Sequence, residues 1–325
     1  MSLPWFVPPM LATSGPPVWS DEFLYEPKWD GLRCLAFKEA SLRLMSRNGR
    51  EMTAHFPELA DLNCLRPAPW AVDGELVIFN KAGQAVFDLV SNRNLVRAPA
   101  RLAQMADRYP AVLIVFDLLY HDGVNLMDRT LRDRRRLLEQ HLESNPRVVL
   151  SPATVGAGPE FHDTVLRHGC EGTMIKRLNS LYHPGKRSPH WIKVRHVKET
   201  DCVICGYARG DQRLASLVLG QYRLSSKTLF YVGRVGTGFS AKDSATLLEF
   251  FSRIPTDRSP FSDMAAALNG DITWLKPLLV CRVEYLAWTT NGLLRHPVFR
   301  GIRTDKGPEE CTLAADHPSV GGAEL

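Results

Sequence analysis

The sequence predicts an α+β chain of two domains, the second a small β-barrel. Three observations carry this. A chain of 325 residues is long enough for two cores. From Tyr25 to about Arg195, β-branched apolar runs bounded by Gly, Pro, Asn or Asp alternate with helical stretches. From about Lys198 the apolar runs shorten, glycine punctuates them, and one helical stretch lies among them.

Taken in order, the first segment is MSLPWFVPPMLA. It is apolar but broken by proline, and it lacks the basic start of a signal peptide. It reads as an extended lead-in that packs on a domain. Strands are expected at LRCLAF, LRLMS, WAVDGELVIF, AVLIVFDLLY, RVVLSP, GTMIKR and HWIKVR. The clearest helix is TLRDRRRLLEQHL, Thr130 to Leu142. Thr130 with Asp133 resembles a capping box, and Leu131, Leu138 and Leu142 fall on one face. Its arginine cluster reads as a solvated face. After a boundary near residue 197 come VICGYARG, SLVLGQYRL, LFYVGRVG and LVCRVEYLAW, with a helix at AKDSATLLEFFSRI. Short strands around one helix suggest an oligonucleotide-binding (OB) type barrel.

The bulk properties exclude several classes. Apolar residues make up 45% and charged residues 23%, as in a soluble globular chain. A net charge of +5 and a pI of about 8.8 permit a phosphate-rich partner without demanding one. Seven scattered cysteines suggest a reducing compartment rather than a disulfide framework. The one close pair, Cys202 and Cys205, reads as two small apolar residues in a strand. With no bilayer-length apolar run, a cytoplasmic protein without a membrane partner is expected, and nothing hints at an oligomer.

Charged groups stand in or beside the apolar strands: Lys28, Asp30, Arg33, Arg47, Glu75, Glu171, Lys193 and Arg195. A charge there is costly unless it is paired or binds something. Singly, Glu75 reads as an exposed strand residue, Phe116 as core, and Lys28-Trp29-Asp30-Gly31 as a turn. Jointly, several bases and two carboxylates from separate strands could line one cleft that takes an anion and a divalent cation.

The same set, in the same order, resembles the motifs of the covalent nucleotidyltransferases: ATP-dependent DNA ligases, RNA ligases and capping enzymes. KWDG at Lys28–Gly31 resembles the nucleophile motif, and Arg47 to Gly49 the arginine-x-glycine element. DGEL at Asp73, FDLL at Phe116, EGTMIK at Glu171 and WIKVR at Trp191 follow. LRHPVFRGIRTDK, Leu294 to Lys306, ends in Arg303-Thr304-Asp305-Lys306, similar to the terminal ligase motif. PMLA at Pro9, HFPEL at His55 and the ending WTTNGLLRHPVFRGIRTDK are similar to small bacterial ATP-dependent DNA ligases, both the stand-alone accessory type and the ligase module of end-joining enzymes.

The resemblance implies an adenylation (nucleotidyltransferase) domain of antiparallel sheets and helices at 1–197 and an OB-fold domain at 198–325. It implies nick sealing with ATP and Mg²⁺ (or Mn²⁺), through a lysyl-AMP on Lys28 and an AMP-DNA intermediate, in DNA repair in a bacterial cytosol. Lys193 and Arg195 would help Lys28 lose its proton, as a free lysine is mostly protonated at neutral pH. Arg195 stands where many ligases have lysine, which leaves its own contact open. Asp30 would position the lysine or contact the 3′-hydroxyl end. Glu75 and Glu171 would serve the metal or the ribose, and Arg33 and Arg47 the ribose or phosphates. Phe116 would stack on adenine with Met174 on its other face, and the Glu26 backbone would read the adenine edge. Arg303, Asp305 and Lys306 would orient the β- and γ-phosphates, which requires the second domain to move.

The expected partners are nicked duplex DNA, gripped by its phosphates in a salt-sensitive and sequence-tolerant way, and repair or end-joining proteins, with the enzyme acting as a monomer. An RNA ligase or GTP-using capping enzyme shares the lysine chemistry. A non-catalytic nucleic-acid-binding scaffold would lack Lys28, Glu75 or Glu171, all present here. A NAD-dependent ligase would carry a zinc finger and extra domains.

Overall fold

A computed structural model describes residues 3–81, 83–210, 214–223, 228–261, 271–289, 291–314 and 317–318. Leu224 and Thr290, which fall in two of the quoted segments, lie outside the described residues. The chain divides into two compact units, Met1–His196 and Val197–Leu325.

The first unit holds two sheets. One is built from β1 (Leu11–Ser14), β2 (Phe23–Pro27), β9 (Thr154–Val155), β10 (Gly172–Arg177) and β11 (Arg187–Arg195), in the order β1-β11-β10-β2-β9. The other holds β3 (Leu32–Lys38), β4 (Leu42–Ser46), β5 (Trp70–Ile78), β6 (Ala111–His121) and β7 (Val124–Asn125), in the order β4-β3-β5-β6-β7. There β8 (Val148–Leu150) joins β6 in parallel, as β1 joins β11; the other pairs are antiparallel. Helices α1 (Phe87–Leu95), α2 (Pro99–Arg108), α3 (Leu131–His141) and α4 (Gly158–Arg167) lie between the strands. β5 is buried at every position but Glu75 because it is covered on both faces, and Trp70, Val72, Leu76 and Ile78 enter the largest core cluster.

The lead-in packs as its apolar pattern predicts. Leu3, Val7 and Met10 are buried in a cluster with Phe116, Tyr182 and Trp191. Met10 N–H donates to the Tyr182 hydroxyl at 3.0 Å, and Leu11 N–H to the Lys186 carbonyl at 2.9 Å.

Helix α3 starts as expected, with the Thr130 side chain accepting from Asp133 N–H. Arg132 and Arg136 are exposed, as the solvated-face reading expects, but the two arginines between them depart from it. Arg134 and Arg135 are buried. Arg134 forks onto buried Asp117, with Nε and Nη2 at 2.7 and 2.8 Å from its two oxygens. Arg135 donates to Glu26 at 3.0 Å and to the Ser151 carbonyl at 2.8 Å. These two cations neutralise carboxylates inside the unit and so act as internal ties. Arg93 of α1 is likewise an internal tie: it is fully buried, and its Nη2 donates to both Glu58 oxygens at 2.7 and 2.8 Å.

The second unit holds one sheet of β12 (Lys198–Arg209), β13 (Leu214–Tyr222), β14 (Leu229–Val235), β15 (Ile272–Tyr285) and β16 (Val298–Arg303), in the order β14-β13-β12-β15-β16. All its pairs are antiparallel. The sheet curls, and Leu294 N–H and Phe299 N–H reach the Val232 and Thr237 carbonyls near the opposite edge at 2.8 and 2.9 Å. Helix α5 (Ala241–Phe251) falls between β14 and β15, started by a Ser240–Asp243 capping box. This is the five-stranded Greek-key pattern of an OB fold. Cys202 and Cys205 of β12 are buried in two different clusters.

Candidate active site

Strand register assembles the site. Across three strands of the first sheet, Glu26 pairs with Met174 and Met174 with Lys193. In the next row but one, Gly172 pairs with Arg195. Lys28, just past β2, is tied there by its N–H to the Gly172 carbonyl at 2.8 Å. In the second sheet Arg33 stands opposite Glu75.

Two glycines permit this approach. A Cβ on Gly31 would lie 2.3 Å from the Leu76 carbonyl oxygen, and one on Gly172 (φ +153°) 2.0 Å from that of Val194. The glycine of KWDG therefore lets the turn lie against β5, and the glycine of EGTMIK lets β10 cross close to β11. Trp29 Nε1 donates to the Ser151 hydroxyl at 3.1 Å and pins the turn from its other side.

These elements enclose a cavity of about 240 Å³. Lys28, Glu26, Arg33, Arg47, Glu75, Phe116, Met174, Lys193 and Arg195 line it. Glu171 stands beside it through Lys28 and Arg195: its carboxylate forms an ion pair with the Lys28 ammonium and lies 3.0 Å from Arg195 Nε. Asp30 belongs to the same turn and is not among the lining residues. Arg303 and Lys306 belong to the second unit, where both engage Asp201.

The charges are interlocked. Arg33 forks onto fully buried Asp73, with Nε and Nη2 each at 2.6 Å, and Tyr182 donates to the same carboxylate at 2.6 Å. Burial opposes the Arg33 charge, but Asp73 overrides it and the guanidinium is held above its ordinary value. Burial pushes Glu75 up to about 7, against the pull of Arg33 and Lys28. Lys193 is lowered by burial and then by Arg195, Arg187 and Lys28. Phe116 has the Arg33 guanidinium 4.6 Å and the Lys176 ammonium 4.2 Å from its ring centre. The Glu26 side chain points away from a base-reading role: it is buried and paired with Arg135 and Lys176.

Several lining residues escaped the sequence reading. Lys176 closes EGTMIK, sits 4.3 Å from the Trp191 ring centre, and is lowered chiefly by burial. Trp191 opens WIKVR, so both had a signal in their motifs. Leu11 and Ala12 stood in PMLA, but Arg187 had no signal, because the pairing of β1 with β11 brings it in from a distant part of the chain.

The arrangement can bind a polyanion among six cations, set the Lys28 amine beside it, and hold a flat apolar group against Phe116. Comparison with known proteins identifies the family. A family described as the ATP dependent DNA ligase domain matches residues 9–195, and one described as the ATP dependent DNA ligase C terminal region matches 210–306. The multifunctional non-homologous end joining DNA repair protein LigD of Mycobacterium tuberculosis is 35% identical over 311 residues, which is 93% of this chain and 39% of that protein. The chain thus spans about two-fifths of the length of that relative. DNA ligase C1 of Mycolicibacterium smegmatis is 32% identical over 313 residues, covering 91% of this chain and 88% of that one. The crystal structure of the M. tuberculosis LigD ligase domain shares 33% identity with a TM-score of 0.54, over 95% of this chain and 98% of that one. With the two family matches spanning most of its length, the chain belongs to the ATP-dependent DNA ligases.

Proposed function

We propose that this chain seals nicks in duplex DNA in three steps, with residues 1–197 as the adenylation domain and 198–325 as the OB domain. The convergence of Lys28, Arg33, Glu75, Lys193 and Arg195 on one cavity carries the reading. Lys28 Nζ loses its proton and attacks the α-phosphate of ATP. A nitrogen–phosphorus bond forms, the bond to pyrophosphate breaks, and lysyl-AMP remains. A 5′-phosphate oxygen of the DNA then displaces Lys28 to give AMP-DNA. Last, the 3′-hydroxyl attacks that 5′-phosphate and expels AMP.

Lys193 and Arg195 supply positive charge beside the nucleophile, and Arg33 and Arg47 take ribose or phosphate. Phe116 and Met174 face the adenine, whose edge the Glu26 backbone reads. Asp30 positions the turn or the 3′-hydroxyl end. Arg303 and Lys306, with Asp305 between them, orient the pyrophosphate as it leaves. The DNA is held by its phosphates, and repair or end-joining proteins are the fitting partners.

The carboxylates suit a hard divalent ion. Mg²⁺ commonly takes one or two carboxylates and completes its shell with phosphate oxygens and water, and Glu75 stands in the cavity wall. Both oxygens of Glu171 are engaged by Lys28 and Arg195, so Glu171 joins a metal only on releasing one of them. When bound, the ion would neutralise developing phosphate charge.

The test is parallel incubation of the purified chain with α-labelled ATP, labelled GTP and labelled NAD in Mg²⁺, then denaturation and mapping of retained label. Label from ATP alone, absent in Lys28→Ala and chased onto nicked DNA but not nicked RNA, is expected. Label from GTP, or a chase only onto RNA, would overturn the reading. If no donor labels the chain, pyrophosphate is added: released ATP shows a chain already adenylylated, and no release rejects the proposal.

A further inference from the structure

Within the second unit, three neighbouring strands and the segment after them gather charge on one carboxylate that no motif contains. Asp201 of β12 stands directly opposite Arg282 of β15, which stands opposite Gly301 of β16. Two residues on, Arg303 leaves the same face of β16 and places Nη1 at 3.2 and 3.1 Å from the two Asp201 oxygens. Lys306 Nζ donates to Asp201 Oδ2 at 3.0 Å, and Arg282 Nε to Oδ1 at 3.2 Å. The Asp201 side chain is only 9% exposed, unlike an ordinary surface ion pair. Its backbone is fixed from below: fully buried Gln221 donates to the Asp201 carbonyl at 2.9 Å and to the Thr200 hydroxyl at 2.7 Å.

The donors show what this geometry does. Arg303 uses Nη1 on Asp201, and Nε and Nη2 on Asp305 at 2.8 and 2.7 Å. Its guanidinium plane is therefore clamped at both edges. Lys306 spends one of its three donors on Asp201 and keeps two. Three cations held this close would repel and wander without the central carboxylate, and ordering them afresh at each encounter with a polyanion would slow the reaction.

We infer that Asp201 is a positioning residue for the first step: it holds Arg303 and Lys306 as a preformed cationic pair for the pyrophosphate portion of ATP. This rests on the function proposed above. Asp201 touches neither nucleotide nor DNA and acts through its two partners. Its effect belongs to lysyl-AMP formation, since the two later steps involve no pyrophosphate.

The test compares the full chain with Asp201→Asn, which keeps the shape and removes the charge. Self-adenylylation and sealing of pre-adenylylated nicked DNA are measured separately, with melting temperatures alongside. We expect self-adenylylation to fall at least about tenfold, with a raised KM for ATP, while sealing stays within about twofold. Asp201→Glu should restore part of the lost rate. An unchanged or faster first step would overturn the inference, and so would an equal loss in both steps. If Asp201→Asn does not fold, Asp201→Glu, which keeps the charge but moves it, decides by the same split. Failure of the wild-type chain to take label from ATP would instead reject the underlying function.

Discussion

The Glu171 carboxylate joins Lys28 to Arg195, one oxygen paired with the lysine and the other 3.0 Å from Arg195 Nε. The amine is thus held on a residue that is itself anchored, a step from the carbonyl of Gly172 that fixes the Lys28 backbone. Glu171→Gln should lower lysyl-AMP formation by about tenfold or more. Its melting temperature should also fall, since Glu171 is only 10% exposed and neutralising it leaves the Lys28 ammonium, only 17% exposed, without its anion. Single-turnover label retention measures the first and a thermal melt the second; an unchanged rate would mean that the pair is incidental.

Gly172→Ala tests backbone rather than charge. The new methyl would meet the Val194 carbonyl, which cannot swing aside as a side chain could. β10 must then part from β11, moving the carbonyl that ties Lys28. The cost should be about 1–3 kcal/mol in denaturant unfolding, together with slower self-adenylylation. An alanine variant as stable and as fast as the parent would contradict the close approach.

Glu75 makes stability depend on pH. Buried, it keeps its proton up to about 7, whereas in the unfolded chain it loses it near about 4.3. Between those values the folded chain binds more protons, so Glu75 makes stability fall as pH rises through the window, and the fall ends above about 7. Melts of the nucleotide-free chain in EDTA from pH 4.5 to 8 should show this fall in the wild type and a weaker one in Glu75→Gln. Parallel curves would show that Glu75 does not titrate there.

Arg134→Leu should be among the most destabilising single changes in the first unit. It leaves Asp117, fully buried, without its forked partner. Breaking such a pair costs about 3–5 kcal/mol, readable as a lower urea midpoint. Replacing Asp117 with Asn as well should recover part of the loss, because the unpaired charge is gone.

The buried arginines also mark where sequence reading fails. Strands such as Leu32–Lys38 and Ala111–His121 were legible because apolar runs between turn residues have few other uses. Lys28, Glu75 and Glu171 were legible because close backbone approach places Gly31, Gly74 and Gly172 near them and leaves a short fixed string. Arg134 and Arg135 look solvated in sequence. Their partners Asp117 and Glu26 lie 17 and 109 positions away, and only the fold shows that the charges cancel inside. Asp201 was missed for the same reason: its partner Arg303 is 102 positions distant. Arg187 entered the cavity through pairing with the first strand, which no local pattern announces.

That first strand has a consequence for synthesis. Met10 is held by Tyr182, 172 positions later, and among the described residues β1 pairs with β11 alone, once Arg187–Arg195 exists. The ribosome therefore delivers one wall of the cavity long before its counterpart, with 172 positions between Met10 and Tyr182. Contacts so distant close slowly. A nascent chain halted before Tyr182 would already carry Lys28 and Glu75, yet lack the enclosure that turns an exposed lysine into a reagent.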